Sequence, residues 1–132
     1  MDFTWSEQEQ ELRAELRSYV AGHLPAGWSF LERDMPTPER ERDVIEFCRG
    51  LAERGLLVPA WPSQYGGRDI SAWAQVVLSE EMRGVSEPRG PQYMNVNWIG
   101  PAIMELGTEE QKQAYTGPIA AGEAMWCQGF SE

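Results

Sequence analysis

Few residues of this chain have the type and spacing to run acid–base, nucleophilic or metal chemistry. There is one histidine, His23, close to Gly22 and Pro25. That setting suits a helix C-terminus, where a partial positive charge meets the negative end of the helix dipole. Cys48 and Cys127 are the two cysteines. They form no zinc-type Cys/His cluster and are too few for a disulfide framework. Glu80 and Glu81 are adjacent. On a helix, neighbours point about 100° apart, so they cannot face each other as an acid/base pair, and a solvated or capping role fits them better. Glu109 and Glu110 suit the first turn of a helix, where the dipole favours negative charge. Tyr65-Gly66-Gly67 has neither dinucleotide-loop nor phosphate-loop spacing, and no Gly-x-Ser-x-Gly elbow occurs.

Aromatic residues carry more signal. There are 6 tryptophans. Trp5, Trp61, Trp73, Trp98 and Trp126 could wall a cofactor pocket, but filling gaps between helices is the commoner use of such side chains. The stretch Met125-Trp126-Cys127-Gln128-Gly129-Phe130-Ser131-Glu132 differs from everything before it. It reads as a β-strand reaching the edge of a site. A glycine that permits close backbone approach stands beside a flat ring and a hydroxyl, a set suited to the rim of a planar heteroaromatic cofactor. The bland alternative is an ordinary strand end. A lone strand needs a ladder partner. The stretch is therefore expected to join a sheet supplied by further residues, with the chain as the front section of a larger protein.

Composition bounds the partners. The 132 residues carry a net charge of −10, with 42% hydrophobic and 24% charged residues. That is the profile of a globular domain able to bury a core. The acidic balance argues against nucleic acid and anionic membrane surfaces, which need clustered Lys and Arg. No apolar run approaches the ~20 residues of a membrane span, and residues 1–6 show no secretory leader. With reduced thiols, this predicts a cytoplasmic protein.

The elements that must position these residues are helical. Ser6 and Glu9 predict a capping box, followed by an apolar face of Leu12, Leu16, Tyr19 and Val20 that ends at Gly22 and Pro25. Residues 26–36 form a loop whose Trp28, Phe30 and Leu31 would lie on a surface. Thr37 and Pro38 start a second helix with a stripe of Val44, Ile45, Cys48, Leu51 and Ala52, closed by Gly55. Residues 55–67 are an apolar connection broken by Pro and Gly. A third helix runs from a Ser71 cap through Trp73, Val76, Val77 and Glu80 to about Arg83. A fourth covers about 92–99, and Pro101 should break or kink it. A short continuation ends at Gly107. Thr108 and Gln111 predict a second capping box, for a helix that closes at Gly117-Pro118 and leads to a turn over 119–123. The expected fold is all-α over 1–123, with 124–132 as the start of a β domain.

Four segments and the opening helix resemble the acyl-CoA dehydrogenase family. Met125 to Glu132 is similar to the opening of its flavin-binding signature. Trp61-Pro62-Ser63-Gln64-Tyr65-Gly66-Gly67 resembles its Trp-Pro…Tyr-Gly-Gly loop. Gly100-Pro101-Ala102-Ile103 with Gly107-Thr108-Glu109-Glu110-Gln111-Lys112 resembles its Gly-Thr-x-x-Gln-Lys segment. Ile119-Ala120-Ala121-Gly122-Glu123 resembles the turn before the flavin strand, and Phe3 to Leu16 its amphipathic first helix.

The resemblance implies the N-terminal helical, up-down bundle-like domain of that fold and the first strand of its middle domain. It implies FAD as cofactor, with Gln128, Gly129, Phe130 and Ser131 against the ring, and Tyr93, Met94 and Trp98 walling the acyl pocket. The implied reaction is α,β-dehydrogenation of a fatty-acyl or steroid-type acyl-CoA thioester. A carboxylate in a C-terminal domain removes the α-proton while hydride leaves to the flavin, and hydrogen bonds to the thioester carbonyl stabilise the enolate-like charge. Implied partners are electron-transfer flavoprotein as acceptor and sister subunits in a homo- or heterotetramer. No residue of this chain matches the base, so the chain alone is expected to be inactive and to bind flavin poorly. Three other readings compete. They are a non-catalytic subunit of a heteromeric dehydrogenase, a flavin monooxygenase or oxidase on the same fold, and a free-standing helical interaction module.

Overall fold

The computed structural model describes residues 4–24, 27–28 and 37–129. Phe3, Pro25, Phe30, Leu31, Phe130, Ser131 and Glu132, named above, lie outside the described residues. The described residues are helical and contain no strand, as the sequence predicts for the N-terminal domain. Residues 124–129 run as irregular chain without a ladder. No described segment offers them the partner edge that a strand needs.

Helix α1 spans Glu7–His23. The Ser6/Glu9 capping box is present in both directions. Its inner face is Leu12, Leu16 and Tyr19. Helix α2 spans Pro38–Glu53, with the Thr37 side chain accepting from the Arg40 N–H and Pro38 in the first turn. Its buried stripe is Val44, Phe47, Cys48 and Leu51. Ile45 and Ala52 are only half-buried, because Phe47 takes the central place. The Tyr19 hydroxyl donates to the Phe47 carbonyl at 2.8 Å and ties α1 to α2. Gly55 follows with φ +66°, the left-handed turn that only glycine adopts cheaply.

The connection after α2 dives through the centre. Leu56, Leu57, Val58 and Trp61 are all buried. Each such side chain is worth about 1.5–3 kcal/mol on burial, so this link belongs to the core. A short 3-10 turn, Ser63–Tyr65, follows. Helix α3 spans Trp73–Gly84 and buries Ala74, Val77, Leu78 and Met82. One expectation fails here. Ser71 does not cap α3, because its hydroxyl is bound to Glu9 at 2.7 Å. Trp73 and Val76 lie on its outer face, with Trp73 61% exposed. Trp28 of the loop after α1 donates its indole N–H to the Ser86 carbonyl at 3.2 Å.

The last three elements frame the site. A one-turn helix α4, Gln92–Met94, passes into a π-helical turn at Asn95–Ile99 and on into α5, Gly100–Leu106, without interruption. Pro101 therefore does not break the helix. Its ring would crowd the carbonyl four residues back in a regular helix. The wide turn relieves this, with the Gly100 N–H donating to the Asn95 carbonyl. Helix α6 spans Glu109–Ala120, with the Thr108/Gln111 capping box formed. It also runs past the expected stop, holding Pro118 inside its last turn. Ile119 and Ala120 are thus buried helical residues, not turn.

Candidate functional site

Helices α5 and α6 form a hairpin at Gly107, whose N–H donates to the Ile103 carbonyl at 2.8 Å. Thr108 then starts α6 at once. The segment 124–129 leaves α6 and turns back, with the Glu123 and Ala124 N–H groups both donating to the Pro118 carbonyl at 3.0 and 3.1 Å. It meets the π turn, where the Trp126 N–H donates to Asn95 Oδ1 at 2.7 Å.

These elements enclose an open cleft of about 450 Å³. Its wall is apolar: Trp98, Ile99, Ile103 and Leu106 on one side, Tyr115 and Trp126 on the other, with Gln111 and Gln128 as polar rim. Trp98 is 50% exposed and Leu106 84% exposed, so the wall presents large apolar groups that the described residues do not cover. The rings are braced edge to face. Tyr115 meets Trp126 at 4.9 Å and Tyr93 meets Trp98 at 6.2 Å between centroids, the arrangement favoured by the ring quadrupoles. Gln111 is committed to its cap, since its Oε1 accepts from the Thr108 N–H. No carboxylate lines the cleft among the described residues. The cleft offers apolar area and one carboxamide, a chemistry of binding and orientation.

Trp98 and Gln128 are brought together in this lining. Tyr93 stands behind Trp98, with the Arg89 guanidinium 5.4 Å from its own ring. Met94 is half-buried and is not among the lining residues. Gly129 is exposed, and a Cβ there would meet nothing within 4 Å. Asn95, Ile103, Leu106 and Tyr115 escaped the sequence reading. A pointer to them exists: Pro101 inside a continuing apolar pattern signals a wide turn, and wide turns gather at functional sites.

The other chemistry-bearing residues are structural. His23 Nδ1 bonds the Tyr19 carbonyl at 2.9 Å and its ring stacks on Tyr19. Glu80 and Glu81 are neither capping nor simply solvated. Arg13 donates to Glu80 at 2.6 Å and to Glu81 at 2.5 Å, and Arg17 donates to Glu81 at 2.9 Å. Burial pushes the Glu81 carboxyl up, but the two arginines outweigh it and hold it below its ordinary value. Burial raises the Cys48 thiol to about 12. No helix of the described residues is long and apolar enough to cross a membrane.

Comparison with known proteins agrees with this architecture. The family model described as "Acyl-CoA dehydrogenase, N-terminal domain" matches residues 6–123. Acyl-CoA dehydrogenase IpdE1 of Mycolicibacterium smegmatis is 33% identical over 127 residues, covering 93% of this chain and 32% of that protein. The crystal structure of the ChsE4-ChsE5 complex from Mycobacterium tuberculosis superposes with a TM-score of 0.69 at 32% identity, covering 93% of this chain and 30% of that one. The Tcur3481-Tcur3483 steroid ACAD gives a TM-score of 0.70 at 34% identity, covering 95% of this chain and 32% of that one. The chain thus spans about a third of the length of the relatives it matches. The chain belongs to the acyl-CoA dehydrogenase family, of which it carries the N-terminal helical domain.

Proposed function

We propose that this chain is the helical front part of an FAD-dependent acyl-CoA dehydrogenase that desaturates the α,β bond of an acyl-CoA thioester with a bulky, steroid-type acyl group. The supporting observation is the open apolar cleft between Trp98 and Trp126, rimmed by Gln128. A flavin is a flat ring with a polar edge, and this donor set fits it. An apolar wall takes the ring or the neighbouring acyl group, and the Gln128 carboxamide offers both a donor and an acceptor to a polar edge. Gly129 leaves its backbone open to close approach. Phe130 and Ser131 complete the proposed contact set. When bound, FAD supplies the acceptor for the β-hydride.

This chain's own residues bind and orient. Trp98, Ile103, Leu106 and Trp126 shed water from the acyl group and hold it in register. The α-proton base is assigned outside this chain. The chain alone is accordingly inactive and a weak flavin binder. Electron-transfer flavoprotein is the proposed acceptor, and a cytoplasmic location goes with it. A two-component assembly is proposed as well, because both structural relatives are described as pairs, ChsE4-ChsE5 and Tcur3481-Tcur3483. In that assembly this subunit either catalyses or supports.

The test starts from the complete natural polypeptide. Its intact mass, visible spectrum and anaerobic turnover of steroid-type and straight-chain acyl-CoA esters are measured with electron-transfer flavoprotein as acceptor. Flavin absorbance with faster turnover of the steroid-type ester is expected. A colourless protein with no turnover, alone and with its partner subunit, overturns the reading. Turnover only in oxygen would assign the same-fold oxidase chemistry instead.

A further inference from the structure

Asn95 is fully buried and makes contacts that no helix interior requires. Its Nδ2 donates to the Pro91 carbonyl at 3.2 Å. Its Oδ1 accepts the Trp126 N–H at 2.7 Å, a bond 31 residues long in sequence. Its own carbonyl receives the Gly100 N–H that defines the π turn. One residue therefore joins the wide turn that presents Trp98 to the segment that carries Trp126 and Gln128.

Among the described residues little else holds that segment. Met125 and residues 127–129 are exposed. The Pro118 carbonyl fixes its start, and Tyr115 packs on the Trp126 ring. Without a second backbone anchor, a stretch of this kind samples many paths, and ordering it costs conformational entropy. A carboxamide is well suited to the anchor. It donates and accepts at once, so its buried donor is satisfied by Pro91 while its acceptor remains for Trp126.

We propose that Asn95 is a positioning residue of the cleft, whose carboxamide sets the path of residues 124–129 and thereby aims Gln128 at the bound ligand. The ligand's identity rests on the reading under Proposed function. The anchoring by Asn95 does not.

Two measurements test it. The first is residue-resolved amide hydrogen exchange on the complete natural polypeptide, comparing wild type, Asn95→Leu and Asn95→Asp. Wild type should protect the Trp126 amide over that of Cys127 by about tenfold, the equivalent of one net hydrogen bond of ~1.4 kcal/mol. Asn95→Leu, similar in size but unable to accept, should abolish the difference. Asn95→Asp keeps the acceptor and should retain it. A Trp126 amide that exchanges as fast as Cys127 in wild type overturns the anchor, whether or not the leucine variant folds.

The second is FAD affinity of the complete flavoprotein with Asn95→Leu, Gln128→Ala and both together. A positioning role predicts that the losses do not add, because the first change already misplaces the group removed by the second. Additive losses overturn the aiming of Gln128. Absence of any FAD binding overturns the proposed function, and the amide measurement still decides the anchor.

Discussion

Ser71 Oγ donates to Glu9 Oε1 at 2.7 Å, joining the loop before α3 to the first turn of α1. The other carboxylate oxygen, Oε2, accepts the Ser6 N–H at 2.9 Å. One carboxylate thus completes a capping box and also ties that loop to α1. The bond from Ser71, followed by those from Ser6, holds the Glu9 carboxyl below its ordinary value of 4.5.

The sign of the pH dependence follows. A carboxyl whose folded pKa is depressed contributes stability above its unfolded value, and that stability is lost as pH falls through the folded one. Urea unfolding should show wild type losing stability below about pH 4.5. Glu9→Gln should lower stability at neutral pH and flatten that acid slope. Equal slopes in the two proteins would show that Glu9 is not linked to folding.

Glu81 and Glu80 give a second contrast. The Glu81 side chain is 13% exposed and takes both Arg13 and Arg17, while Glu80 is 51% exposed and takes Arg13 alone. Hydrogen bonds to charged groups that are partly buried are worth about 1.5–3 kcal/mol, whereas exposed pairs are worth about 0–1. Glu81→Gln should therefore cost at least twice what Glu80→Gln costs in chemical denaturation, and the Glu80 effect should vanish first with added salt.

Gly100 faces the Trp61 ring so closely that a Cβ would run into it. Trp61 is a buried core residue, so the ring has nowhere to move. Gly100→Ala should destabilise by about 1–3 kcal/mol despite the better helix propensity of alanine. A neutral or higher melting temperature would contradict the packing of the π-turned helix on Trp61.

Thiol chemistry should split the cysteines. Cys48 is buried, its Sγ donates to the Arg89 carbonyl at 3.7 Å, and burial holds it protonated up to about 12. Cys127 is exposed. A thiol reagent at pH 8 should label Cys127 in the folded chain and reach Cys48 only after unfolding. Two equivalents reacting at one rate would place Cys48 elsewhere.

Local signals were legible and long-range ones were not. The starts of α1, α2 and α6 were readable because cap and partner lie within three residues. The start of α3 was misassigned because Ser71 is recruited by Glu9, 62 residues away. Glu80 and Glu81 looked solvated because Arg13 and Arg17 reach them from another helix. Pro101 reads as a break or kink and Pro118 as a stop, since propensity sees a missing N–H but not the packing that holds the helix together around it. Trp98 and Gln128 line the cleft, and the motif resemblance is what points to them in the sequence. Leu106 and Tyr115 were missed because they lie on outward faces, where periodicity argues against a role.

The π turn at Asn95–Ile99 acts as a phase shifter. One extra residue in a helical turn rotates everything after it by about 100° around the axis. Deleting one residue there would leave a helix of the same direction and nearly the same length. It would swing Ile103 and Leu106 off the cleft and drive the Pro101 ring against a carbonyl. The shape of the cleft is thus stored as an angular offset along one helix, so a change in residue count here would alter it more than a change in residue type.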